Sequence, residues 1–135
     1  MIKVIASDMD GTLLGDDHKV APRTLEAIHK AQEKGLRFMI ATGRNFRSAM
    51  EQLEQLDLEC DYILASGAEV RNEKREVISS KPISMEICEE IIEAIKPFPI
   101  SVIYCTDEYD YRIGTPKAIE ESIIKQIELF HTNLS

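Results

Sequence analysis

Two aspartates stand two residues apart in Asp8-Met9-Asp10-Gly11-Thr12, just after the apolar run Ile2-Lys3-Val4-Ile5-Ala6. In extended chain, side chains at i and i+2 point the same way, so Asp8 and Asp10 are expected to face one pocket. Two close carboxylates repel, which raises the pKa of one of them. One then suits the role of nucleophile and the other that of general acid and later base. Gly11 allows the sharp exit that brings both to a ligand. Such a hard oxygen site suits magnesium, which takes carboxylates together with substrate phosphate. The same letters also occur in ordinary turns and at the start of calcium loops. A calcium loop is disfavoured, because Thr12 and Leu14 supply no acidic or amide ligand.

A second polar group, Thr42-Gly43-Arg44, follows the apolar run Phe38-Met39-Ile40-Ala41. A hydroxyl, a glycine and a guanidinium at a helix start are phosphate-binding groups. A third apolar run, Tyr62-Ile63-Leu64-Ala65, ends in Ser66-Gly67.

The elements that position these groups can be read from pattern. A helix is predicted over residues 20–35, with Pro22 at its first position, Gly35 just past its end, and Leu25, Ile28 and Ala31 on one face. Another is predicted over 45–57, with Phe46, Ala49, Met50, Leu53 and Leu56 at helical spacing. The three strands are unbroken apolar runs, as in a parallel sheet buried on both faces. Right-handed crossovers would join them, and ligands would bind beyond their carboxyl ends. Those ends are Asp8, Thr42 and Ser66.

Beyond Gly67 the pattern becomes α+β. Glu69 to Pro82 reads as two short strands around a turn near Asn72-Glu73-Lys74. A helix over 85–96, capped by Ser84, would turn Ile87, Ile91 and Ile95 inward. Strands at 100–105 and 109–113 would turn at Asp107-Glu108. Thr115-Pro116 starts a last helix with Ile119, Ile123, Ile127 and Phe130 on one face.

Asp8-Met9-Asp10-Gly11-Thr12-Leu13-Leu14 resembles the first signature motif of the haloacid dehalogenase superfamily, and Thr42-Gly43-Arg44 resembles its second. Ala65-Ser66-Gly67-Ala68-Glu69-Val70 resembles the passage from core to cap in the Cof-type sugar-phosphatase branch. The resemblance implies an α/β fold: part of a Rossmann-like core with a parallel sheet over 1–67, then part of an α+β cap over 68–135. It implies a magnesium-dependent phosphatase acting on small phosphorylated metabolites such as sugar phosphates. Asp8 would form the aspartyl-phosphate, and Asp10 would protonate the leaving alcohol and activate water. Asp8 and Asp10, the latter through its backbone carbonyl, would hold the metal. Thr42 and Gly43 would bind the phosphoryl group, and Arg44 would meet the substrate or the cap. Ser66 stands where the branch usually has Asn, beside the substrate. The family's later lysine and later Gly-Asp-x-x-Asn-Asp motif do not occur in these 135 residues. The chain therefore reads as an N-terminal part, and a truncated, catalytically incomplete binding or association module is the alternative. By the same resemblance the first strand would be an open edge, and self-association through it is expected.

The remaining features narrow the class. A net charge of −8 and scattered basic residues argue against nucleic-acid binding. No apolar run approaches the ~20 residues of a membrane span, and the start is too soon interrupted by charge for a signal peptide. Cys60, Cys88 and Cys105 form no C-x-x-C pair, which reads as a reduced, cytoplasmic protein. A receiver-type signalling domain is a further alternative, but its acceptor aspartate would follow the third strand, where Ser66-Gly67 stands.

Overall fold

The computed structural model of the chain describes residues 2–54, 56–106 and 109–132. The chain divides into two compact units, Met1–Lys81 and Pro82–Ser135.

The first unit runs β1 (Val4–Asp8), α1 (Pro22–Glu33), β2 (Arg37–Ala41), α2 (Phe46–Leu53), β3 (Asp61–Leu64), a 3-10 turn (Ala65–Gly67), β4 (Glu69–Arg71) and β5 (Val77–Ser80). Local chemistry explains the helix ends. Pro22 occupies the first turn of α1, where its missing N–H costs nothing. Gly35 at φ +78° then lets Leu36 N–H return to the carbonyl of Ala31 at 3.2 Å, which closes the helix. Asn45 caps α2 by accepting from the Ser48 N–H at 2.9 Å.

The strands form one sheet in the order β1-β2-β3-β4-β5. β1, β2 and β3 are parallel, with Asp8 beside Ala41 and Ala41 beside Ile63. The polar residues after each strand therefore emerge at the same end of the sheet. The expected three-strand parallel core is thus present, but the sheet is larger and mixed. β4 pairs antiparallel with β3, Tyr62 beside Arg71 and Leu64 beside Glu69, and β5 completes a hairpin. The first compact unit accordingly ends at Lys81, after this hairpin. Side chains reinforce this placement: Arg71 pairs with Glu69 at 2.6 Å, and its guanidinium lies 4.0 Å from the centre of the Phe46 ring on α2.

The core lies on the α1 and α2 face. It joins Leu13, Leu14 and Val20 to Ile28, Phe38, Ile40, Met50, Leu53, Tyr62 and Leu64. Met9, Leu14, Ile40 and Leu64 are fully buried, each stabilising by roughly 1.5–3 kcal/mol relative to exposure. His29 on α1 meets the carbonyl of Asp57 at 2.6 Å. β1 departs from the expectation of strands buried on both faces. It is the sheet edge, and Ile2, Val4 and Ile5 are exposed.

The second unit holds α3 (Met85–Ile95), the antiparallel pair β6 (Ser101–Cys105) and β7 (Asp110–Gly114), and α4 (Pro116–Thr132). Ser84 caps α3 and Thr115 caps α4, each through its side-chain oxygen. On α3 the buried residue is Cys88, while Ile87 and Ile91 are exposed. The expected inward stripe of Ile87, Ile91 and Ile95 is therefore rotated by about one position. The expected turn at Asp107-Glu108 lies outside the described residues, as do the side chains of Ile127 and Phe130. No helix among the described residues is long and apolar enough to cross a membrane.

Candidate active site

The loop after β1 is built by alternation. Asp8 is exposed, Met9 is fully buried, and Asp10 is exposed again. Met9 anchors the segment while both carboxylates stay on the open side. The backbone then curls: Leu13 N–H reaches the carbonyls of Asp8 (3.2 Å) and Met9 (3.1 Å), and Leu14 N–H that of Met9 (2.8 Å). Gly11, at φ +72°, supplies the left-handed step that this curl needs. Leu13 and Leu14 drop into the core beyond it. Thr12 Oγ1 donates to Asp8 Oδ2 at 3.2 Å and orients that carboxylate.

At the end of β2, Thr42 is buried, and its Oγ1 accepts from the Arg44 N–H at 3.2 Å. The turn after β3 is clasped onto this loop. Ala65 N–H bonds the Arg44 carbonyl at 2.8 Å, and Ser66 N–H bonds the Thr42 carbonyl at 3.1 Å. Ser66 Oγ lies 3.5 Å from where a Cβ on Gly43 would stand. Thr42, Gly43, Arg44 and Ser66 thus form one backbone-linked group, and Asp10 reaches it through Arg44. Arg44 Nη2 and Nε lie 2.7 and 2.8 Å from the two oxygens of Asp10.

That bidentate pair was not foreseen. Sequence reading assigned Arg44 to the substrate or the cap, and nothing local announces a contact between residues 10 and 44. Ser48, in the first turn of α2, anchors Arg44 from the other side. Its carbonyl and Oγ both receive Arg44 Nη1 at 3.3 Å. The pair also sets the electrostatics of Asp10. Its carboxyl lies below the ordinary carboxylate value, because the Arg44 hydrogen bonds outweigh the opposing effect of burial, with the Arg44 and His18 charges adding to the lowering. A carboxylate depressed in the fold stabilises it above the unfolded pKa, and that contribution is lost as pH falls through the folded value. The pair therefore contributes at neutral pH and fades in acid.

Ala65 and Ser66 both adopt positive φ, +48° and +56°. Residues other than glycine pay for this conformation, and asparagine pays least. Ser66→Asn is accordingly expected to stabilise the first unit by up to ~1 kcal/mol, read as a rise in melting temperature. A fall would show that the Ser66 hydroxyl makes a contact worth more than the strain.

A cleft of about 330 Å³ lies between Gln32, Arg37, Glu59, Cys60, Asp61 and Glu73. It sits at the amino ends of β2 and β3, away from the aspartates. Arg37 there pairs with the buried Asp61 at 2.7 Å and lies 3.7 Å from Glu73.

The donors available to a metal are the carboxylates of Asp8 and Asp10 and nearby backbone carbonyls. Among the described residues no group of three or more acidic, His or Cys side chains comes together. One or two carboxylates completed by water and phosphate is the donor set that magnesium accepts. The residues present therefore fit magnesium held jointly with substrate.

Known proteins resemble this chain in sequence and fold. HMP-PP phosphatase of Serratia proteamaculans is 33% identical over 92 residues, covering 68% of this chain and 34% of the relative. The 5-amino-6-(5-phospho-D-ribitylamino)uracil phosphatase of Bacillus subtilis is 38% identical over 80 residues, covering 59% of this chain and 32% of the relative. Among solved structures, a phosphatase of the haloalkanoate enzyme superfamily from Bacteroides thetaiotaomicron superposes with a TM-score of 0.77 at 28% identity, covering 93% of this chain and 47% of that one. The chain spans about a third of the length of the two curated relatives and about half that of the structure. A sequence profile described as haloacid dehalogenase-like hydrolase matches residues 5–134. With its aspartate pair, its Thr-Gly-Arg loop and nearly its whole length accounted for by that profile, the chain belongs to the haloacid dehalogenase-like hydrolase family.

Proposed function

We propose that this chain carries the nucleophile and phosphate loops of a magnesium-dependent phosphatase of small phosphorylated metabolites, sugar phosphates among them. The observation that supports it most is the shared rim: Asp8, Asp10, Thr42 and Arg44 follow adjacent parallel strands, with Asp10 and Arg44 in contact. The named activities of the two curated relatives point to the same substrate class.

In this reading Asp8 attacks phosphorus, the bond to the ester oxygen breaks, and Asp10 gives its proton to the departing alcohol. Asp10 then takes a proton from water, which attacks the aspartyl-phosphate, breaks its bond to Asp8 and leaves inorganic phosphate. Thr42 and the Gly43 N–H hold the phosphoryl oxygens, and Ser66 lies where the rest of the substrate would extend. Magnesium bound through Asp8 and the Asp10 backbone carbonyl would neutralise phosphoryl charge, the main requirement of such transfers. The test is phosphate release from a panel of phosphorylated small molecules with magnesium, together with a search for phosphate on Asp8. Neither release nor phosphoenzyme would refute the reading.

A second reading, a binding or association module, is favoured by β1. An unpaired edge with Ile2, Val4 and Ile5 exposed invites another strand. Self-association is the expected result in light scattering over a concentration series. A stable monomer at high concentration that binds no apolar dye would refute it. The three free thiols of Cys60, Cys88 and Cys105 support placement in the reducing cytoplasm.

A further inference from the structure

Every nitrogen of the Arg44 guanidinium is engaged. Nε and Nη2 take the two oxygens of Asp10, and Nη1 takes Ser48. The Ser48 contacts hold Arg44 to the first turn of α2, and the Thr42 Oγ1 bond to its N–H holds its backbone. Arg44 is thus fixed from behind, and its Nε–Nη2 fork points at the aspartate loop. Asp10, by contrast, is held from outside the loop only by Arg44 among the bonds described. Its carboxylate is half exposed and has no bond to its own loop like that of Asp8 to Thr12.

A carboxyl that hands a proton to a leaving oxygen needs one of its own oxygens free. Here both are occupied by N–H donors. A fork of this shape fits two phosphoryl oxygens as well as two carboxylate oxygens. The phosphoryl group expected beside Thr42 and Gly43 would arrive on the same loop that carries Arg44.

We propose that Arg44 is an anion-exchange partner of the general acid. In the free protein it holds Asp10, and an arriving phosphoryl group takes the place of Asp10 on the guanidinium and releases the carboxylate toward the reacting oxygens. Arg44 is then a positioning residue for Asp10 in one state and a phosphate ligand in the other. Only a ligand with two adjacent anionic oxygens triggers the exchange, so phosphomonoesters free the acid and neutral sugars do not. This rests on the phosphatase reading above.

The test is a double-mutant cycle on the full chain, with inorganic phosphate as the probe in calorimetric titrations of wild type, Asp10→Asn, Arg44→Gln and the double variant. Asp10→Asn removes a negative charge and will tighten phosphate somewhat in any background. If Asp10 competes for Arg44, the tightening is roughly fivefold greater when Arg44 is present, which is about 1 kcal/mol. An equal effect in both backgrounds, or no phosphate binding by any of the four proteins, overturns the proposal. Wild-type protein gives an independent reading if a variant fails to fold. In an NMR titration the Arg44 Nε–H and the Asp10 carboxyl carbon should shift together at one phosphate concentration. An Arg44 response without an Asp10 response overturns it. Exchange without phosphoenzyme on Asp8 would instead leave this inference standing and defeat the catalytic reading.

Discussion

Asp8→Asn is expected to abolish the phosphoenzyme and to lower any phosphomonoester hydrolysis by about 10⁴-fold or more, the scale on which loss of a covalent nucleophile acts. The change is nearly isosteric. The side chain is exposed, and its contact with Thr12 Oγ1 needs only an acceptor oxygen, which the amide keeps. Loss of activity should therefore come without loss of the fold. Asp10→Asn should behave differently. In the proposed mechanism it removes proton transfer, typically a factor of ~10²–10⁴, but leaves the nucleophile. An aryl phosphate, whose leaving group needs little protonation, should still load Asp8 in Asp10→Asn, and the loaded form should persist because water is no longer activated. Mass spectrometry of the intact chain after a brief exposure to substrate distinguishes the cases. Hydrolysis that survives Asp8→Asn, or phosphate found on another residue, would remove Asp8 from its role.

What could be read in the sequence was what short stretches of chain decide. The three parallel strands, the two helices between them and the polar residues at the strand ends all follow from apolar runs and helix punctuation. Pro22, Gly35 and Asn45 perform in the fold the local tasks their types suggest. Contacts between distant segments were not legible. The hairpin of β4 and β5 carried strand character in its sequence, but nothing there said that Arg71 would lie on Phe46 and extend the core sheet. The Asp10–Arg44 pair likewise joins two loops that are separate in sequence. On α3, three isoleucines at spacing four defined a plausible stripe, yet Cys88 is the buried residue. Apolar residues on most sides of a helix leave its rotation to the surface it meets, which periodicity alone does not contain. Most easily overlooked was the apolar part of the first motif. Attention falls on Asp8 and Asp10, while Met9, Leu13 and Leu14 look like filler between polar letters.

Those filler residues carry the largest expected effect on stability. Leu14 is 1% exposed and packs in the cluster that contains Val20, Ile28 and Ile40. Leu14→Ala removes buried methyl groups and leaves a cavity that the neighbouring sheet cannot easily fill, at a cost of about 2–5 kcal/mol. A unit the size of Met1–Lys81 has a total stability of order 4–12 kcal/mol, so one such change consumes much of it. By contrast, Val4→Ala on the exposed edge strand should cost less than ~1 kcal/mol. Hydrogen exchange at the β2 and β3 amides reads this unit separately from the second one. Protection of Ile40 and Leu64 should fall steeply in Leu14→Ala and barely change in Val4→Ala. The functional consequence follows from the curl of the loop. Leu14 N–H bonds the Met9 carbonyl, so the residue that fills the core also fixes the segment from which Asp8 and Asp10 project. Phosphate affinity should then drop in Leu14→Ala even where the unit remains folded, although Leu14 touches no ligand. If protection in Leu14→Ala stays within ~1 kcal/mol of wild type, the loop is held by its backbone bonds and Gly11 alone, and the core does not position the carboxylates.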